Sequence, residues 1–316
     1  MTGCTTRPMQ ALLAAITAMA KPVDAQRVFH GRGGRFPGCE HLALDAFPPV
    51  FLLTAFAPIS DAELDQVHDA LVARWAVLAP DAPLNWVFQR RQSRGIHGTE
   101  TRLMAGRVPD PHVVSEDNAR YAVHLLQGQN HGLFLDMAEG RRWVRNQAAG
   151  QKVLNLFAYS CAFSVAALQG GSKQVVNLDM SASAIALGQH NHALNGLSDG
   201  ARFMAHDIFK TWGKITRFGP YHLVIVDPPS FQKGSFVANK DYPRLMRRLP
   251  ELLRPGGRAM LCLNAPELGI DFLRERMQAA APMLVFEERL PNPALFADTS
   301  SERNLKVLIY RAPTFT

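Results

Sequence analysis

An acidic residue, two prolines and an aromatic residue follow one another at the end of an apolar run. The run Leu223–Val226 predicts a buried strand. It is followed by Asp227, Pro228, Pro229, a serine and Phe231. The prolines remove backbone donors and fix an extended turn, so their carbonyl groups and the carboxylate can point into one cleft. Stacking of an aromatic ring on a planar base is typically worth ~1–3 kcal/mol. This pattern indicates a site for a planar, amine-bearing substrate.

Two further aspartates follow predicted strands upstream. Asp179 ends the apolar strand Val175–Leu178, and its carboxylate can accept hydrogen bonds from both hydroxyls of a ribose. Asp207 comes after the short strand Arg202–Ala205, where a carboxylate can accept from the exocyclic amine of an adenine. The competing interpretation of Asp179 is a cap for the helix Ser181–Asn195. Together, the aspartates favour a nucleoside cofactor at the edge where parallel strands end.

The predicted elements that carry these residues alternate between strand and helix. The strand Val153–Phe157 opens the series, and the alternation continues to Leu290. Regular alternation predicts an α/β fold with a parallel sheet, in which the final strand can be antiparallel. The loop after the first strand lacks a GxGxxG motif and the chain lacks a GxxxxGK(S/T) motif, which argues against a dinucleotide dehydrogenase and a P-loop ATPase.

The composition limits the class of protein. Of the 316 residues 47% are hydrophobic, enough for one large or two medium domains, and the net charge of +7 favours an anionic partner such as nucleic acid. The cysteines Cys4, Cys39, Cys161 and Cys262 form no CxxC pair, so we expect no metal site and a reducing, cytoplasmic environment. The apolar run Ala11–Ala20 is too short to span a bilayer, and we expect a packed helix there and no membrane partner.

Six stretches of the chain together resemble the class I S-adenosylmethionine-dependent methyltransferases. More narrowly, the chain resembles the bacterial large-subunit (23S) rRNA methyltransferases that modify cytosine C5 or guanine N7. The stretches that carry the resemblance are Gly132–Asp136 with Arg141, Leu154–Ala167, Val175–Ser181, His206–Phe209, Val226–Phe231 and Leu252–Gly257. The resemblance implies a Rossmann-like seven-stranded sheet, S-adenosylmethionine as cofactor, and ribosomal RNA or the assembling large subunit as partner.

The resemblance also implies a domain organisation. Residues 1–50 are expected to form an N-terminal helix and a basic, glycine-rich connector. Residues 51–126 are expected to form a small α+β domain, a candidate RNA-binding domain, because the family carries such a domain in front of its sheet. Residues 127–316 are the expected methyltransferase domain. The arginines whose clustering would favour an RNA-binding surface are Arg32, Arg35, Arg90, Arg91 and Arg94.

Site residues follow from the resemblance position by position. It implies that Phe134 and Asp136 help to form the cofactor pocket from outside the sheet. It assigns Asn155, Phe157 and Ser160 to the methionine-binding loop. This chain departs from the family pattern at two positions near these residues. Cys161 occupies a position that is usually glycine, and Ala138 one that is usually arginine.

The remaining assignments concern the strand ends already described. The resemblance implies that Asp179 binds the ribose and Asp207 the adenine side of the cofactor. It places Asp227 at both the cofactor and the target base, and the residues expected on the target base are Pro228, Pro229 and Phe231.

One further strand-end residue bears on the methylated atom. Cytosine C5 is a poor nucleophile, and its methylation needs a cysteine that attacks C6. In the cytosine branch that cysteine stands where this chain has Asn264, while Cys262 lies two residues earlier, where its apolar surroundings favour a small core residue. The guanine N7 branch of the family carries asparagine at the position of Asn264. We therefore predict catalysis with Asn264 at the site and in-line transfer to a ring or exocyclic nitrogen of an RNA purine.

Two other functions remain open at this point. A methyltransferase that acts on a protein or a small molecule could use the same turn, because its carbonyl groups suit any planar amine. A non-catalytic RNA-binding protein that kept the fold would fit the departures at Cys161 and Ala138.

Overall fold

The computed structural model describes residues 9–91, 99–229 and 236–314, and the backbone alone of residues 231–232. The chain divides into two compact units. The first comprises Met1–Leu135 and Ala294–Ser300, and the second comprises Asp136–Pro293 and Ser301–Thr316. The chain therefore passes from one unit to the other more than once.

The first unit is built around an antiparallel-rich sheet. Its elements are α1 (Gln10–Ala18), β1 (Gln26–His30), β2 (Leu42–Phe47), β3 (Val50–Ala55), α2 (Asp61–Leu78), β4 (Asn85–Arg90), β5 (Glu100–Ala105), β6 (His112–Glu116) and β7 (Ala119–Val123). In the described residues the order is β1-β2-β3-β4-β5, and only β3 and β4 are parallel. Helix α2 connects these two parallel strands, and a capping box of Ser60 and Glu63 fixes its start.

Two features of this unit differ from the sequence prediction. The segment before residue 51 contributes β1 and β2 to the sheet, because the apolar residues of β2 are all buried against β3. The alternation of apolar and polar residues over Val113–Leu126 predicts a single strand, but the structure has a hairpin of β6 and β7 there. Asp117 and Asn118 have φ values of 49° and 65°, which reverse the chain between them.

The short segment Ala294–Ser300 packs within the first unit although it is distant in sequence. The Thr299 amide donates to the Gly33 carbonyl oxygen at 2.8 Å. The Phe296 ring lies against His30 and under the Arg27 guanidinium, whose carbon is 4.3 Å from the ring centroid. A Cβ atom on Gly33 would lie 2.2 Å from the Ala297 carbonyl oxygen, so this contact requires glycine.

The second unit contains the predicted α/β sheet. Its elements are α3 (Ala138–Gln147), β8 (Lys152–Leu156), α4 (Ala162–Gln169), β9 (Gln174–Asp179), α5 (Ala182–Leu194), β10 (Ala201–Ala205), α6 (Trp212–Phe218), β11 (Tyr221–Val226), β12 (Phe231–Gln232), β13 (Phe236–Val237), α7 (Ala238–Met246), α8 (Leu249–Leu252), β14 (Leu253–Leu263), α9 (Ile270–Ala280), β15 (Val285–Arg289) and β16 (Lys306–Arg311).

In the part of the chain that the structure describes, this sheet has seven strands in the order β10-β9-β8-β11-β14-β16-β15. The first five are parallel and β16 runs antiparallel to both of its neighbours. Apolar side chains are buried on both faces, as helices on each side require. The Rossmann-like seven-stranded fold is thereby confirmed. No helix among the described residues has both the length and the hydropathy needed to cross a membrane.

Candidate functional site

The strand ends of the second unit bring the predicted residues to one edge. Leu178, Leu156, Val226 and Leu261 form a row across β9, β8, β11 and β14, because each is paired with the next in the parallel register. The residue that follows each member of this row therefore emerges at the same edge of the sheet. These residues are Asp179, Phe157, Asp227 and Cys262.

Asp179 shapes the backbone on both sides of its strand end. One carboxylate oxygen accepts from the Tyr159 amide at 2.9 Å, and the other accepts from the Ser181 amide at 2.8 Å. The helix cap of α5 is Ser181, whose hydroxyl accepts from the Ala184 amide. Because each carboxylate oxygen has a second lone pair, half-buried Asp179 can still accept from ribose hydroxyls. The capping role belongs to the serine rather than to the aspartate.

The loop after β8 has an unusual backbone for residues that carry side chains. Phe157, Tyr159 and Cys161 have φ values of 57°, 44° and 57°. Such left-handed values favour glycine. Ser160 is buried, and its carbonyl oxygen accepts from the Asn191 side-chain amide at 2.9 Å. The Ser160 side chain is therefore covered, and its place in the methionine-binding loop stays a prediction.

Helix α5 makes room for the cysteine in this loop. A Cβ atom on Gly188 would lie 2.3 Å from the Cys161 Sγ. The thiol therefore fills the space that a side chain at position 188 would need. Cys161 is completely buried, and burial raises the pKa of its thiol far above the ordinary value. The departure from glycine at this position is accommodated by a glycine in the neighbouring helix.

Asn155, a predicted cofactor residue, lies inside the sheet. It is 1% exposed, and its side-chain amide donates to the Asn177 side-chain oxygen at 2.9 Å. Asn177 donates in turn to the Ser164 hydroxyl, which is hydrogen-bonded to His192. These four residues form a buried polar chain between the sheet and its helices. The Asn155 side chain therefore satisfies buried polar groups, and its place in the methionine-binding loop stays a prediction.

Asp207 lies beyond the end of β10, next to the Asp179 strand end. The His206 amide donates to the Asp179 carbonyl oxygen at 2.9 Å, which ties the two strand ends together. The Asp207 carboxylate accepts from the Phe209 amide at 2.9 Å and lies 3.6 Å from the Lys210 ammonium. Asp207 is half-buried, so its carboxylate keeps an accessible side.

Asp227 lies in a strongly perturbed electrostatic environment at this edge. Burial raises its pKa, as does the negative charge of Asp136, while the positive charge of Arg141 and the neighbouring Cys262 side chain lower it. The resulting pKa is about 7. Arg141 is itself buried. A carboxyl group of this kind changes its charge near neutral pH, which is typical of functional sites.

Asn264 directly follows the end of β14 and lies next to Asp136. It is exposed, and its side-chain amide lies 3.5 Å from an Asp136 carboxylate oxygen. Cys262 points to the same face of β14 but is completely buried, and burial and the nearby carboxylates raise its pKa well above the ordinary value for a thiol. A thiol in this state is a poor nucleophile. The Tyr242 hydroxyl, which the sequence did not single out, donates to the Cys262 carbonyl oxygen.

The remaining predicted residues are placed less completely. Pro228 is buried and Pro229 half-buried directly after Asp227. The backbone of Phe231 is paired with Val237 in a two-stranded ribbon, and its side chain lies outside the described residues. Phe134 is 44% exposed and belongs to the first unit, so its role beside the sheet edge stays a prediction.

Basic and aromatic side chains cluster in the first unit. The Arg32 guanidinium carbon is 3.7 Å from the centroid of the Phe56 ring, and that of Arg91 is 5.6 Å from the same centroid. Arg27 forms an ion pair with Asp45. Two of the arginines that the sequence marked are thus brought together, whereas Arg90 pairs with Glu100 and Arg94 lies outside the described residues.

No cluster of three or more metal-binding side chains occurs among the residues that the structure describes. The geometry of the site instead suits an organic ligand with hydroxyl and amine groups, because its accessible polar atoms are carboxylate, amide and carbonyl groups.

Comparison with known proteins gives consistent matches. The family model described as S-adenosylmethionine-dependent methyltransferase matches residues 26–311. A ribosomal RNA large subunit methyltransferase of Deinococcus radiodurans is 32% identical over 78% of this chain and 61% of its own length. A ribosomal RNA large subunit methyltransferase K/L of Psychrobacter sp. is 34% identical over 54% of this chain and 22% of its own length. The chain therefore spans less than two thirds of these relatives.

A solved structure resembles the fold over nearly the whole chain. It is that of SMU.776, a putative methyltransferase complexed with SAH. It is 25% identical to this chain, has a TM-score of 0.78, and the match covers 93% of this chain and 76% of that one.

Proposed function

The chain belongs to the family of S-adenosylmethionine-dependent methyltransferases, and we propose that it methylates a base of large-subunit ribosomal RNA, at a purine nitrogen rather than at cytosine C5. The recognition of the family and of S-adenosylmethionine as its cofactor is confirmed by this membership. The RNA substrate, the atom and the individual site residues are parts of the proposal.

The accessible groups at the sheet edge suit S-adenosylmethionine. Asp179 would accept the ribose hydroxyls and Asp207 the adenine amine, as their positions on neighbouring strands allow. The backbone of the loop Phe157–Cys161 would hold the methionine part. The bound cofactor supplies an activated methyl group. The task of this chain is to orient the cofactor and the base so that the nucleophile and the methyl group are aligned.

The single observation that carries the choice of atom is the pair Asn264 and Cys262 at the end of β14. The exposed residue is the asparagine, and the cysteine is completely buried. A covalent route to C5 needs an accessible thiolate. All three described cysteines are buried. A purine nitrogen carries its own lone pair and needs no covalent intermediate, so this arrangement favours it.

Two observations support RNA as the substrate. The relatives named above are ribosomal RNA large subunit methyltransferases. The net charge of +7 is accompanied by a first-unit cluster in which Arg32 and Arg91 share the Phe56 ring. Guanidinium groups beside an aromatic ring suit both the phosphates and the bases of RNA.

The proposal is tested with methyl-labelled S-adenosylmethionine and purified protein. RNA and protein fractions from cells that lack this gene are offered as substrates, and the label is located by mass spectrometry of nucleosides and peptides. We expect label in large-subunit RNA on a purine nitrogen. Label on cytosine C5 would overturn the choice of atom, and label only in protein or small molecules would overturn the choice of substrate.

A matched pair of samples makes a negative result informative. The same assay with Asp179→Ala should give no label, which excludes a contaminating methyltransferase. If the wild-type protein transfers nothing to any fraction and also fails to bind S-adenosylhomocysteine in a titration, the chain is the non-catalytic alternative.

A further inference from the structure

A lysine is completely buried beside the strand end that leads to Asn264. Lys306 is the first residue of β16 and is paired with Leu263, the last residue of β14. Its side chain is 0% exposed. A lysine is almost never fully buried unless partners satisfy its charge, because removing an ammonium group from water is costly. The partners of this ammonium group therefore indicate what the residue does.

The Lys306 ammonium donates to three backbone carbonyl groups. The acceptor oxygens are those of Ala265 at 2.7 Å, Leu268 at 2.6 Å and Glu302 at 2.8 Å. Three acceptors on one nitrogen use all three N–H donors of the charged form. Hydrogen bonds from a charged donor are stronger than those from a neutral one. Lys306 therefore holds three separate points of the chain together.

Two of these points lie in the loop that joins β14 to α9, residues 264–269. The Leu268 amide donates to the Ala265 carbonyl oxygen at 3.1 Å, which closes a turn within the loop. Ala265 is buried, while Asn264, the residue directly before it, is exposed. Because the two residues share a peptide bond, the hold on Ala265 determines the direction in which the chain leaves β14 at Asn264.

Glu302 holds the far end of the same loop. One of its carboxylate oxygens accepts from the amide of Ile270, the first residue of α9, at 2.6 Å. The other accepts from the Arg289 guanidinium at 3.3 Å. The loop is therefore fixed near its start by Lys306 and at its end by Glu302, and both residues come from the segment that leads into β16.

We propose that Lys306 is a positioning residue for Asn264, because its hydrogen bond to the Ala265 carbonyl group fixes the backbone from which the Asn264 side chain extends. The Asn264 amide lies 3.5 Å from an Asp136 carboxylate oxygen, and this placement depends on that backbone. A displacement of about 1 Å at a reacting site can lower a rate by about 100-fold. This role rests on the proposed function, which places Asn264 at the site, and it requires no chemistry at the lysine itself.

Selective labelling of asparagine side-chain amides allows a first test on the full chain by NMR, without RNA or cofactor. Asn264→Asp identifies the signal. Lys306→Met keeps a long side chain but removes the three donors, and we expect the Asn264 signal to shift. Tyr221→Phe is the matched control, because it removes a buried hydroxyl that donates to the Ile215 carbonyl oxygen at 2.7 Å, at the opposite end of the sheet strands. It should leave the Asn264 signal in place.

Methyl transfer distinguishes a positioning role from a general loss of stability. Lys306→Met should lower kcat by about 10- to 100-fold and leave the affinity for S-adenosylhomocysteine near that of the wild-type protein. In the Asn264→Ala background, the same substitution should change kcat by less than about twofold, because the side chain that the lysine positions is gone. Equal losses of kcat in the two backgrounds would overturn the role of Lys306.

A second lysine variant and the two readouts keep the outcome clear. If Lys306→Met does not fold, Lys306→Arg keeps the charge but carries a larger, planar donor group, so it should also displace the loop and shift the Asn264 signal. An unshifted signal in a folded lysine variant would contradict only the role of Lys306. A wild-type protein that does not methylate RNA, or an Asn264→Ala variant with full transfer, would contradict the proposed function.

Discussion

Two carboxylates end strands of the same sheet, yet their surroundings differ. Both Asp179 oxygens accept backbone amides, and the residue holds the turn into α5 and the loop after β8. Asp227 lies beside a second carboxylate, a buried arginine and a thiol, and burial and Asp136 raise its pKa to about 7. Position in the fold alone therefore does not define the chemistry of a strand-end acid. Backbone donors make the first a fixed acceptor, while charged and buried neighbours make the second a group that changes its charge.

Under the proposed function, the strand ends at Asp179 and Asp227 have two different tasks. The Asp179 end would hold the cofactor, and the Asp227 end would hold the base. Variants at one end should then affect cofactor affinity, while variants at the other should affect transfer or its pH dependence.

The largest effect is expected for Asp179→Ala. The substitution removes the ribose acceptor and two charge-assisted hydrogen bonds that shape the loop. We expect the affinity for S-adenosylhomocysteine, measured by calorimetry, to fall by at least about 100-fold. Exposed Asp199 provides the control, because Asp199→Ala removes the same charge elsewhere. An unchanged affinity would remove the ribose assignment.

Phe231→Ala should affect the other end. Loss of a stacking ring should lower methyl transfer by about 10- to 100-fold. Cofactor affinity should stay near that of the wild-type protein, and Phe231→Tyr should retain transfer. Steady-state rates and calorimetry on the same preparations give the two numbers. Equal losses in transfer and cofactor affinity would mean that the turn has a structural role only.

Gly188→Ala sharpens the comparison on the cofactor side. The new methyl group would meet the Cys161 thiol, and overpacking of this kind costs about 1–3 kcal/mol. We expect cofactor affinity to fall by about tenfold. The double variant Gly188→Ala/Cys161→Gly should recover it, because the thiol is gone.

Gly213→Ala is the control for a glycine in a helix, since nothing lies within 4 Å of the position that its Cβ would take. If the double variant binds the cofactor no better than Gly188→Ala alone, the contact between the two side chains does not set the loop conformation.

Stability should also depend on Asp227. The pKa of Asp227 is raised from 3.8 to about 7 in the folded protein. The folded state thus retains a proton that the unfolded state releases between these values, and stability falls as the pH rises through this window. Asp227→Asn removes this loss. Because each pKa unit corresponds to about 1.4 kcal/mol, we expect the wild-type protein to lose up to about 4 kcal/mol between pH 4 and pH 8 that the variant retains, seen as a difference in Tm.

Thermal unfolding at a series of pH values measures this difference. Parallel curves for the wild-type protein and Asp227→Asn would show that the Asp227 carboxyl group titrates alike in the folded and unfolded states, which would contradict the raised pKa.

Much of the second unit could be predicted from the sequence because its signals are local. Apolar runs predicted β8, β9 and β11, of which the last two end in an acid, and the register brings the strand ends together as expected. The family pattern did not indicate that the Asn155 amide meets Asn177 within the sheet, because this contact depends on the neighbouring strand.

Other features depend on partners that are distant in sequence. The space for the Cys161 thiol is provided by Gly188, and only a glycine within a predicted helix hinted at a close contact there. The Tyr242 hydroxyl reaches a strand carbonyl, which no local pattern indicates. In the first unit, the hairpin after Val113 depended on two residues with positive φ, Asp117 and Asn118, that interrupt an otherwise continuous alternation.

The segment Ala294–Ser300 limits how the gene for this protein can recombine. The segment lies between β15 and β16 in the sequence, but it belongs to the first unit. There Thr299 and Phe296 contact Gly33 and His30. A recombination event that exchanges only the gene region for residues 1–135 would pair a foreign Gly33 and His30 with a resident Ala294–Ser300. The first unit is therefore complete only when residues 1–135 and Ala294–Ser300 match each other, and we expect an exchange of the first region alone to weaken these contacts.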